Sequence, residues 1–70
     1  MSEVARIRRQ IELECEALRL ALYGPAIVAS HTIINARYKN LGKQKEELAQ
    51  HVGEQAATDE LVQTYAKIIG

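Results

Sequence analysis

Tryptophan and phenylalanine are absent, and cysteine and proline occur once each in the 70 residues. Each scarcity removes one way of holding a short chain together. With Cys15 as the lone cysteine, no disulfide forms within the chain, and a reducing, cytoplasmic setting is expected. One cysteine and two histidines fall short of the four ligands that a structural zinc site takes, so no metal and no cofactor is expected. Charge of either sign is lacking in surplus, because nine basic and nine acidic side chains cancel to a net charge of zero. No global field therefore draws the chain toward nucleic acid or anionic lipid. A long apolar run is missing too. With His31 counted as ionisable, the longest uncharged window, Leu20 to Ser30, is eleven residues, against roughly 20 for a membrane-spanning helix. Near the start, Glu12, Glu14 and Glu16 interrupt any apolar segment that a secretory signal would need.

What is present is apolar enough to fold, at 47% hydrophobic residues. Ser2 can cap a helix opening at Glu3, where an acid suits the positive helix terminus. Val4, Ile7, Ile11, Cys15, Leu18 and Leu22 then recur at spacings of three and four, the period of an amphipathic helix. This predicts a first helix over 3–23. Gly24-Pro25 reads as a tight corner, with glycine ending one helix and proline opening the next. A second helix is predicted over 26–52, its seam formed by Ile27, Ile34, Tyr38, Leu41, Leu48 and Val52. Gly42 lies inside that seam, and the unbroken phase on either side favours continuity. Gly53 is expected as a left-handed cap, residues 53–57 as a connector, and Thr58 as the cap of a third helix over 58–69. The fold class is all-α: a single domain over 1–70, an antiparallel helical hairpin plus a short third helix, assembling into a helical bundle across protomers.

The assembly is inferred from a second stripe. At about 100° per residue, Leu13, Ala17 and Leu20 fall on the side of the first helix opposite its seam. Ala29, Ile33 and Ala36 lie away from the seam of the second. One hairpin covers one stripe of each helix, so these six residues are the expected self-association surface of a homo-oligomer, with a dimer favoured. A chain of this size buries only about 60% of its unfolded surface, and a partner chain is the staple left to it.

Chemistry-bearing residues are few. In a hairpin closed at Gly24, residues whose numbers sum to about 48 lie level. That register puts His31 near Ala17 and within reach of Glu14 or Cys15. No orienting third group or oxyanion-hole loop accompanies them, so a packed histidine bonded to a carboxylate is expected. Glu47 and His51 sit four apart, the spacing of an ordinary helical ion pair. The acids Glu12, Glu14, Glu16, Glu46 and Glu47 lack the Glu-x-x-His repeats of di-metal bundles. The basic residues are better organised. The register gathers Arg6, Arg8, Arg9, Arg37, Lys39, Lys43 and Lys45 at the open end of the hairpin, an arrangement that could contact an anion or nucleic acid.

KEELAQHVG, Lys45 to Gly53, resembles the first helix and turn of repressor-type helix-turn-helix domains, which often show Q-x-x-L-A-x-x-x-G. The likeness covers nine residues, with Gln44 displaced by one from the leading glutamine. It would imply a recognition helix after Gly53, yet that segment carries Glu54, Asp59 and Glu60 where phosphates would approach, and Lys67 as its one base. A helix bound for the major groove carries donors near its N-terminus. The sequence reading is therefore a non-enzymatic, self-associating accessory subunit that presents a surface to a protein partner. Its alternative is a nucleic-acid-binding or regulatory protein using the basic end.

Overall fold

A computed structural model describes residues 2–24 and 31–70, and in them the chain forms three α-helices and no strand. Helix α1 spans Glu3–Tyr23. The Ser2 hydroxyl accepts the Ala5 backbone N–H at 3.1 Å, satisfying one of the donors that a helix start leaves open. Gly24 closes the helix, its N–H donating to the Leu20 carbonyl at 2.8 Å. The expected corner at Gly24-Pro25 and the first turn of the second helix, with Ile27 and Ala29, fall on residues 25–30, outside the described residues.

Helix α2 is described over His31–Val52 and runs unbroken through Gly42. A methyl group added at Gly42 would meet nothing within 4 Å. No packing inside the protomer demands glycine there, and in a helix interior it costs about 1 kcal/mol relative to alanine.

Helix α3 spans Glu54–Ile68 and starts earlier than the sequence reading placed it. The five-residue connector contracts to Gly53 alone. Its N–H donates to the Ala49 carbonyl at 2.8 Å, ending α2, and its carbonyl accepts the Ala57 N–H at 3.0 Å, opening α3. Between these two bonds the backbone reverses at φ 92°, ψ 159°. That is the extended, essentially glycine-only region rather than the left-handed helical cap expected. Thr58 followed by two acids imitates a helix start, but Gln55, Ala56 and Ala57 are helix formers that need no connector. Gln55 donates to Asp59 four residues on at 3.0 Å.

The three helices touch pairwise in an up-down-up bundle measuring 38 × 22 × 21 Å. The core is Ile7, Ile11, Cys15 and Leu18 of α1, Leu41 and Leu48 of α2, and Ala57 of α3. Val4, Ile34, Val52, Leu61, Tyr65 and Ile68 pack around it, half-buried. The α1 spacing that marked the seam is thus the buried face, whereas its last member, Leu22, and Tyr38 of α2 are exposed.

Replacing the two glycines separates their roles. Gly42→Ala should raise stability by about 0.5–1 kcal/mol, and Gly53→Ala should lower it by about 1–3 kcal/mol. Urea denaturation followed by circular dichroism reads both, and a stabilising Gly53→Ala would show that the turn does not need its positive φ.

Candidate functional site

Helix α1 presents two faces. The inner face fills the core, and the outer carries Leu13, Ala17 and Leu20 at spacings of four and three. Leu13 is 48% exposed and Leu20 63%, and beyond them Tyr23 reaches 70%. Helix α3 does not cover this face; it lies against the core side, where Ala57 is fully buried. Ala17 is half-buried and Ala36 exposed, while Ala29 is outside the described residues. Ile33, on α2, is half exposed. Beside Leu20 lies a shallow cleft of about 500 Å³ lined by Glu16, Arg19, Lys67 and Ile68.

A second surface has no counterpart in the expected sites. Between α2 and α3, on the side away from α1, runs an apolar groove of about 590 Å³. Tyr38, Gly42 and Lys45 form one wall, and Val62, Tyr65 and Ala66 the other. Val62 is 60% exposed there. The Tyr38 and Tyr65 hydroxyls share a hydrogen bond of 2.8 Å across the groove. That bond, with burial, pushes the Tyr65 phenol up to about 12. Gly42 was the readable signal: a mid-helix glycine in phase with the apolar pattern, which the structure of the protomer does not require.

Three of the seven basic residues expected at the open end of the hairpin are engaged by carboxylates. Arg6 binds Glu3 and lies 3.7 Å from Glu47. Arg8 reaches Glu60 on α3 at 2.6 Å, and Arg37 reaches Glu14 on α1 at 3.0 Å. Their hydrogen bonds to carboxylates hold the Arg6 and Arg8 guanidiniums further up, and the Glu3 carboxyl down, from their ordinary values. Lys45 points into the α2/α3 groove, while Arg9, Lys39 and Lys43 are exposed. The positive charge is thus partly neutralised.

The cause is the register. Glu14 accepts from Arg37 and, at 3.4 Å, from Asn40, about one turn further along α2 than a hairpin closed tightly at Gly24 would allow. Seating Leu41 and Leu48 among Ile7, Ile11 and Leu18 sets the alignment. Consequently His31 is exposed and Glu14 serves Arg37, which corrects the expected carboxylate-bonded histidine. Glu47 likewise turns to Arg6 rather than His51. Cys15 is fully buried, and burial followed by the Glu14 charge pushes its thiol up, the opposite of what a nucleophile needs. Among the described residues no three His, Cys, Asp or Glu side chains are placed to hold a metal ion, and no helix is long and apolar enough to cross a membrane. The helix-turn-helix likeness meets a turn of one residue, followed by a helix whose Glu60 is engaged by Arg8.

No family model, no curated protein and no solved structure matches the chain.

Two measurements follow from the buried and shared groups. Because the folded chain holds the Tyr65 proton to about 12 against an ordinary value of 10, the stability from this pair is intact below pH 10 and is lost as pH rises through about 12. Ultraviolet titration should resolve one late-ionising tyrosine, and Tyr38→Phe should bring it back toward 10; an unchanged titration would remove the shared hydrogen bond. Cys15 should react with a thiol reagent only as fast as the protein opens, so urea should accelerate labelling steeply. Rapid labelling of the folded protein would contradict the buried thiol.

Proposed function

We propose that the chain is a small, non-catalytic helical accessory subunit that self-associates through the outer face of α1. The observation that carries this reading is the exposure of Leu13 and Leu20 in a protomer whose third helix has already been placed elsewhere. Magnitudes say what the covering surface must be. A leucine is worth about 1.5–3 kcal/mol on full burial, and Leu13 and Leu20 have about half of that still to gain. Together they supply about 1.5–3 kcal/mol, short of the 4–15 kcal/mol that association costs. The surface that covers them must therefore bring apolar groups of its own. A reducing, cytoplasmic setting belongs to the same reading, since a lone buried thiol needs no oxidising compartment.

Contact with nucleic acid is the weaker reading, because carboxylates already engage Arg6, Arg8 and Arg37. Sedimentation equilibrium tests the proposal directly. The expected result is a mass above 7.8 kDa that rises with concentration and returns to the monomer value in Leu13→Asp and Leu20→Asp, both of which leave the helical content unchanged. A wild-type protein that stays monomeric at millimolar concentration ends the idea.

A further inference from the structure

The α2/α3 groove matches what the α1 face lacks. It is apolar, elongated along the helices and lined by no α1 residue. Its α2 wall contains Gly42, where a side chain would extend into empty space. A glycine at that point lets the backbone of another helix come close, a benefit that nothing within the protomer uses. Tyr38 to Lys45 spans eight residues of helix, the same length as Leu13 to Leu20. One charge pair is available. Lys45 is the one charged side chain lining the groove, and Glu16 borders the α1 face next to Leu20 together with Arg19 and Lys67; neither Lys45 nor Glu16 has an ion-pair partner among the described residues.

We propose that the groove between α2 and α3 receives the outer face of α1 from a second copy of this chain, with Leu13 and Leu20 entering the groove and Glu16 meeting Lys45. In a three-helix bundle the outward side of one helix and the outward side of the opposite pair face in opposite directions. The two complementary surfaces therefore cannot be satisfied mutually by two copies. Copies stack head to tail, through a heterologous contact that closes only as a ring or continues as a filament. This rests on the self-association reading above and gives it a direction.

The test is a complementation. Gly42→Gln fills the groove at a surface position where a better helix former keeps the fold, and leaves the α1 face intact. The double variant Leu13→Asp, Leu20→Asp spoils the face and leaves the groove intact. Wild type should grow past twice 7.8 kDa with concentration, and each variant alone should lose all assembly. Mixed in equal amounts, they should form one discrete species at twice 7.8 kDa, because the single intact face meets the single intact groove. Glu16→Lys in the first partner should abolish that species, and Lys45→Glu in the second should restore it. If Gly42→Gln assembles as wild type does while the face variant stays monomeric, the face pairs with its own copy, and the head-to-tail contact is wrong while self-association stands. A mixture that remains at 7.8 kDa also overturns the contact, and a monomeric wild type removes both readings.

Discussion

The architecture depends on a reversal made at Gly53, where one residue both ends α2 and opens α3. A one-residue link leaves α3 no freedom to wander. It must lie alongside α2, and the smallness of Ala57, buried completely in its first turn, lets it press into the angle between α2 and α1. A longer connector would have let α3 cross to the far side of α1 and cover Leu13 and Leu20. The exposed face is thus a consequence of the turn as much as of the leucines. The same placement leaves the outer side of the α2/α3 pair open, so one backbone constraint accounts for both unfilled apolar surfaces.

Around that frame, electrostatics does fastening rather than recognition. Arg8 with Glu60 ties α1 to α3, and Arg37 with Asn40 on Glu14 ties α1 to α2. The more exposed pair, Arg8 with Glu60, contributes little, about 0–1 kcal/mol, whereas Glu14 is largely buried. The greater effect of both pairs is on direction, since they fix which turn of one helix lies beside which turn of another. They also consume charge that a nucleic-acid surface would need, although the sequence, read as a list of basic positions, suggested a cluster.

How much could be read beforehand varied with the physics involved. The all-α class was legible because apolar spacing of three and four has no strand counterpart, and of the α1 residues it selected Ile7, Ile11, Cys15 and Leu18 are in the core, Val4 packs beside it and Leu22 is exposed. The exposure of Leu13, Leu20 and Ile33 was legible for the same reason: periodicity assigns every residue to a side. The start of α3 was not, because Thr58-Asp59-Glu60 carries the local signature of a helix beginning, whereas the actual beginning is a backbone event at Gly53 with no side-chain cap. The interhelical register was also hidden. It depends on how Leu41 and Leu48 seat against α1, which involves three dimensions and several helices at once. The groove escaped notice because Tyr38 and Tyr65 read as seam residues, and only the pairing of α2 with α3 shows that they stand at its edge, joined by their hydroxyls.

The absence of slack at Gly53 also bears on the order in which the chain gains structure. Contacts between α2 and α3 join residues close in sequence across a one-residue turn, so closing them forfeits little chain entropy. That economy favours early pairing of α2 with α3, whose link is a single residue.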